Sequence, residues 1–164
     1  MSAGSVLRAM RTPAELTELF RARGLKVTPQ RQAIFRILHG ATIHPTAEAV
    51  YAEVADEMPT ISLRTVYQTL NDLATMGEVQ ALDLGTGSAR FDPNLDAHHH
   101  LVCESCGAVH DLYADFGEVK VPSRQRQGFV VESTEIVFRG RCAECAGAVI
   151  TNPRPTTKEM PSDA

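Results

Sequence analysis

The chain's only four cysteines fall into two pairs of identical spacing, Cys103-Glu104-Ser105-Cys106 and Cys142-Ala143-Glu144-Cys145. Two intervening residues let both sulfurs of a pair turn toward one point, and Gly107 supplies permissive backbone just after the first turn. The segment between the pairs is long enough to fold, so one ion gripped by all four thiolates would close it into a unit. The spacing predicts a tetrahedral structural zinc on Cys103, Cys106, Cys142 and Cys145. Two disulfides would instead need an oxidising compartment. Residues 1–30 read as no signal peptide, because Arg8, Arg11, Arg21, Arg23 and Lys26 interrupt every apolar run. A thioredoxin-like dithiol would need only one pair, at the start of a helix after a buried strand.

Charge is unevenly spread. The net charge of the 164 residues is −4, yet residues 1–40 carry seven basic side chains against two acidic ones, whereas residues 83–164 carry eight against twelve. A basic front and an acidic back suit a polyanion-facing domain followed by a metal-collecting one, although a solvated helix face explains the asymmetry almost as well. With 43% apolar residues and no long hydrophobic run, the composition predicts a soluble, cytoplasmic protein with a packed core and no membrane span.

Residues 1–11 have little periodicity and read as a loose or partly helical arm. Thr12-Pro13-Ala14-Glu15 then has the grammar of a helix start, with Thr12 as N-cap, proline at the first helical position and Glu15 closing a capping box. The grammar recurs at Thr28-Pro29, at Thr46 after Pro45, and at Ser62. Four helices follow, with Leu16, Leu19 and Phe20, then Ile34, Ile37 and Leu38, then Val50, Tyr51 and Val54, and finally Val66, Leu70 and Leu73 facing inward. Residues 79–84, the Gly85-Thr86-Gly87 turn and Ser88-Ala89-Arg90-Phe91 predict a β-hairpin. Helices closed by a hairpin describe a winged helix, whose last helix enters the DNA major groove. That helix spans Ser62–Met76, with Arg64, Thr65, Tyr67, Gln68, Thr69 and Asn71 among its exposed positions. Arg64 and Gln68 suit base edges; Ser62, Thr65 and Tyr67 suit phosphates. Core packing of Tyr67 and solvation of Arg64 are the plain alternatives.

Val27–Ile34, His44-Pro45-Thr46-Ala47, Ile61–Leu70, Arg90-Phe91-Asp92 and His98–Cys106 together resemble the ferric uptake regulator (Fur) family of bacterial metal-dependent repressors. The likeness runs in unbroken order over roughly residues 20–146. It implies an α+β protein with a winged-helix DNA-binding domain at 1–88, a small α/β dimerisation domain with its four-cysteine zinc site at 89–150, and a disordered tail at 151–164. It further implies a homodimer on a double-stranded DNA operator, with Arg31 among the DNA contacts, and a second, regulatory ion at the hinge.

The residues support a hinge site. His98 and His100 share one side of an extended strand while His99 points the other way. With His44, Asp92 and Asp111 they offer imidazoles and carboxylates suited to iron(II), manganese(II) or zinc(II). Capping by His44, a solvated His-His-His edge, a turn at Asp92-Pro93 and a strand-end Asp111 are the bland alternatives. Because Asp92 and Asp111 are both the shorter acid, the resemblance points to the peroxide-responsive branch (PerR). In that branch bound iron(II) and peroxide oxidise a histidine ligand, here corresponding to His44 or His98. An iron- or zinc-uptake repressor is the alternative. A further site known in many members would need His99, Glu118 and an imidazole where this chain has Thr134, so it should be absent or weak. A zinc hydrolase or deaminase is disfavoured: neither His-Glu-x-x-His nor His-x-Glu with Pro-Cys-x-x-Cys occurs, and four thiolates leave no open position for water. An irregular helix is expected over 114–127. Strand material is expected over 129–139, with Val130, Ile136 and Phe138 buried on dimerisation.

Overall fold

The structure is a computed structural model describing residues 10–147. The expected tail at 151–164 and most of the expected arm at 1–11 lie outside the described residues. Four helices open the chain: α1 (Pro13–Ala22), α2 (Pro29–Gly40), α3 (Ala47–Glu57) and α4 (Leu63–Thr75). Each starts where a hydroxyl can accept an otherwise orphaned N–H. Thr12 accepts from Glu15 at 3.3 Å while the Glu15 carboxylate takes the Thr12 N–H at 2.8 Å. Thr28, Thr46 and Ser62 cap the next three from Arg31, Ala49 and Thr65. Such a cap contributes about 1 kcal/mol.

Leu16, Phe20, Phe35, Leu38, Val54, Leu70 and Leu73 meet in the first core at 0% exposure, with Phe20 and Phe35 edge to face at 4.8 Å. The ion pair between Arg11 and buried Glu78 fastens the chain entering α1 to the residue after the turn that ends α4. Thr69, expected to be exposed, is fully buried and returns its hydroxyl to the Thr65 carbonyl at 2.8 Å. A threonine can do this on the inner face of a helix, which is why its polarity misled the sequence reading.

The hairpin follows, with β1 (Gln80–Leu82) antiparallel to β2 (Arg90–Asp92). Its pairing runs from Gln80 opposite Asp92 to Leu82 opposite Arg90. A second sheet has the order β4-β3-β5, built from β3 (His99–Cys103), β4 (Val109–Leu112) and β5 (Val137–Gly140); β3 is antiparallel to β4 and parallel to β5. Leu82 and Leu84 of the wing enter a small second core with Val102 and Val109, and Arg139 donates to the Leu84 carbonyl at 2.7 Å. The wing is therefore docked on the C-terminal sheet. A short helix, α5 (Ala143–Gly147), ends the described chain, and among the described residues no helix is long and apolar enough to cross a membrane.

Two expectations need correction. Residues 114–127 form no α-helix; only a 3-10 turn at Ser123–Gln125 appears, because Gly117 takes φ +68° and Pro122 has no N–H to give. The strand expected over 129–139 is confined to Val137–Gly140. Residues 129–131 carry strand-forming side chains, but among the described residues no strand pairs with them, and Phe129 and Val130 stand 75% and 81% exposed.

Candidate metal centres and nucleic-acid interface

The first Cys pair sits at the end of β3 and the turn beyond it; the second flanks the start of α5. The four sulfurs lie within 4.8 Å of one another, and Cys106 Sγ is 3.8 Å from Cys142 Sγ. A disulfide would need about 2.05 Å. Four sulfurs at about 2.3 Å from a tetrahedral zinc would stand about 3.8 Å apart, the separation of Cys106 and Cys142. The Cys142 N–H, 3.3 Å from Cys103 Sγ, and those of Cys106 and Ser105 pull the Cys103 thiol down to about 6, so one thiolate is prepared in advance. The neighbouring sulfurs push Cys145 up to about 12. A dication is what would let all four ionise together.

Gly107, with φ +74°, makes the turn close; a Cβ there would stand 3.1 Å from Arg90 Nη2. Arg90 in turn donates to the His44 carbonyl at 3.0 Å, and the Phe91 N–H binds the Pro45 carbonyl at 2.9 Å. The loop between α2 and α3 is thereby tied to β2, which brings His44 beside Asp92. On the other sheet the register sets His100 opposite Asp111. His44, Asp92, His98, His100 and Asp111 each offer an atom within 4.8 Å of all the others. His44 Nε2 lies 3.1 Å from Asp92 Oδ2 and 2.9 Å from Asp111 Oδ1; His98 Nε2 lies 3.0 and 3.3 Å from the same oxygens. His100 Nε2 is 3.6 Å from Asp92 Oδ2.

Despite this proximity, Nε2 of all three histidines, Asp92 Oδ2 and Asp111 Oδ1 are buried without a hydrogen bond of acceptable geometry. Buried polar atoms left so are costly. Five of them converging on one point fit a divalent ion of borderline softness. The outward carboxylate oxygens are satisfied. Asp92 Oδ1 accepts the Asn94 N–H at 2.8 Å, and Asp111 Oδ2 accepts from Asn94 Nδ2 at 2.7 Å and Tyr113 OH at 3.2 Å. Burial alone would lower the His44 pKa, but Asp92 and Asp111 outweigh it and the net shift is upward. Burial likewise pushes Asp92 up, and His44 with the Asn94 N–H brings it below its ordinary value.

On α4, Arg64 and Gln68 are exposed, and neither side chain bonds to another described residue. Ser62 and Thr65 share a 2.9 Å hydroxyl contact at the helix start, and Tyr67 donates to Glu48 at 2.6 Å. Arg31 is differently placed. Its guanidinium binds Asp72 at 2.9 Å and the Lys26 carbonyl at 3.1 Å, over the Phe20 ring. With its side chain 11% exposed, Arg31 is a strut between helices in this structure. His99 points away from the cluster, its Nδ1 accepting the Ile136 N–H at 3.2 Å and its ring against Phe116; Glu118 pairs with Lys120.

The model of the Ferric uptake regulator family matches residues 22–139. The chain belongs to that family. It is 36% identical over 126 residues to the peroxide-responsive repressor PerR of Staphylococcus aureus (strain Mu50 / ATCC 700699), covering 76% of this chain and 85% of that one. Among solved structures it is similar to the ferric uptake regulator of Vibrio cholerae, with TM-score 0.61 and 28% identity over 77% of this chain and 99% of the other. It is also similar to a zinc-bound manganese uptake regulator, with TM-score 0.62 and 25% identity over 80% and 99%. This Fur-family member is thus a metal-responsive regulator with a winged helix and a four-cysteine cluster that fits zinc. Sequence reasoning had passed over Asn94, Tyr113 and Glu135 as partners of the His/Asp cluster. Asn94 was within reach as an Asx turn after Asp92; Glu135 required the parallel β3–β5 pairing.

Proposed function

We propose that this chain is a homodimeric, metal-dependent transcriptional repressor that senses peroxide through oxidation of a histidine. Cys103, Cys106, Cys142 and Cys145 would hold structural zinc. His44, Asp92, His98, His100 and Asp111 would hold regulatory iron(II) or manganese(II). Ser62, Arg64, Thr65, Tyr67 and Gln68 would face the operator, with Arg31 acting from behind as the brace of α4. The observation that carries this reading is the convergence of five orphaned buried atoms from the α2–α3 loop, the wing's second strand and the C-terminal sheet.

His44 travels with the helices and Asp111 with the C-terminal sheet, so their simultaneous use selects one orientation of the two. Two copies held in that orientation would present their α4 helices to successive major grooves. Iron(II), when held by these residues, would supply the redox chemistry through which peroxide could oxidise an imidazole ligand, His44 or His98. A ligand lost from either would release the helices from the sheet and the protein from DNA. The S. aureus PerR likeness and the paired aspartates support this reading; the likeness to iron and manganese uptake regulators supports a repressor that reports metal status instead.

The test is to load the protein with iron(II) without oxygen, add peroxide, and measure DNA retention and peptide mass together. Release from DNA with one oxygen gained on the His44 or His98 peptide is expected. Retained binding with no added oxygen would favour the metal-status repressor.

A further inference from the structure

His98 and His100 aim their Nε2 atoms at the same point, yet their outer ring nitrogens are held differently. His98 Nδ1 meets the Asp96 main-chain carbonyl at 2.7 Å. His100 Nδ1 meets a full carboxylate, Glu135 Oε1, at 2.6 Å. His44 Nδ1 is buried with no hydrogen bond of acceptable geometry. With Glu135 ionised, Nδ1 of His100 must be the donor, which leaves the lone pair on Nε2, where an ion would need it. A carboxylate behind a ligand imidazole also fixes the ring plane and raises the basicity of the inner nitrogen.

Glu135 is not placed by its own flexibility. The next residue is fastened on both sides of its backbone: Ile136 N–H donates to His99 Nδ1 at 3.2 Å, and the Ile136 carbonyl accepts the His100 N–H at 3.1 Å. From Val137 onward β5 runs in register with β3. The middle histidine of the cluster, turned away from the metal point, thus anchors the stretch that delivers a carboxylate to its neighbour. Thr134 offers no imidazole, and the residue after it serves the His/Asp cluster instead.

We propose that Glu135 is a positioning residue for the regulatory ion, orienting His100 and adding a third negative charge to those of Asp92 and Asp111. This rests on the metal-site reading above. His100 is then the imidazole most firmly committed to holding the ion, while His44 and His98 lack ionised backing on their outer nitrogens.

The test uses the full-length, zinc-loaded protein and manganese(II), which does not react with peroxide in the way iron does. Affinity and the EPR line shape of bound manganese are measured for wild type, Glu135→Gln, Glu135→Ala and His98→Ala. Glu135→Ala should weaken manganese binding about 10–100-fold, and Glu135→Gln, which keeps an acceptor but no charge, by less. Both should change the EPR line shape while leaving zinc content and the manganese-free melting temperature as in wild type. Wild-type affinity in both Glu135 variants, with none in His98→Ala, would overturn the role of Glu135 alone. So would a loss matched by lost zinc or a lowered melting temperature, which would mark Glu135 as merely structural. A wild-type protein that binds no manganese would overturn this inference together with the reading beneath it.

Discussion

His44 is held between two opposing demands. Asp92 and Asp111 draw a proton onto it, whereas an ion at the same point needs its ring neutral. Its pKa is raised, so it is protonated below a value higher than its ordinary one, and proton competition with the ion begins at correspondingly higher pH. Manganese affinity should therefore fall as pH drops through that raised value, which lies above the ordinary histidine value. Calorimetric titrations across that value should show the drop with proton release on binding; a flat profile would remove His44 from the ligand set. Arg64 offers a second prediction at this scale. Its side chain bonds to nothing else in the described protein, so Arg64→Ala should weaken specific operator binding by about 1–3 kcal/mol if it reads a base edge. Metal content should be unchanged, and fluorescence anisotropy alongside elemental analysis separates the two.

Among the elements, the four N-capped helices and the hairpin were legible in the sequence because hydroxyl-proline starts and apolar periodicity act locally. Thr12, Thr28, Thr46 and Ser62 announce their helices within one turn. Residues 114–136 were not legible, because Val119, Val121 and Val130 promise regular structure that, among the described residues, no neighbouring strand completes. The candidate site divides the same way. Ligand types and the strand spacing of His98 and His100 could be read directly. The commitment of Arg31 to Asp72 and the reach of Glu135 to His100 depend on how α2 meets α4 and how β3 meets β5, contacts between residues far apart in the chain. The knuckle joining β3 to α5 carries its own prediction. If four thiolates hold zinc there, Cys103→Ser or strong chelation should unfold or monomerise the protein, since metal binding contributes directly to folding. Circular dichroism and size-exclusion chromatography would show it, and a stable dimer after complete chelation would contradict it.

The whole molecule is arranged so that its two cores share one wall. Leu82 and Leu84 leave the wing for the C-terminal sheet, Arg90 spans from the His44 loop to the Gly107 turn, and the His/Asp cluster lies on the same seam. Orientation of α4 relative to the C-terminal sheet is therefore settled at that seam and not along α4 itself. Operator affinity should depend steeply on salt through phosphate contacts, and removing the regulatory ion should lower it without altering the fold of either core. The most direct measurement is anomalous diffraction from crystals of the zinc-loaded protein grown with manganese(II). The account predicts one manganese peak within bonding distance of His44, Asp92, His98, His100 and Asp111 together. A peak bound from the C-terminal sheet alone, with His44 turned away, would contradict it.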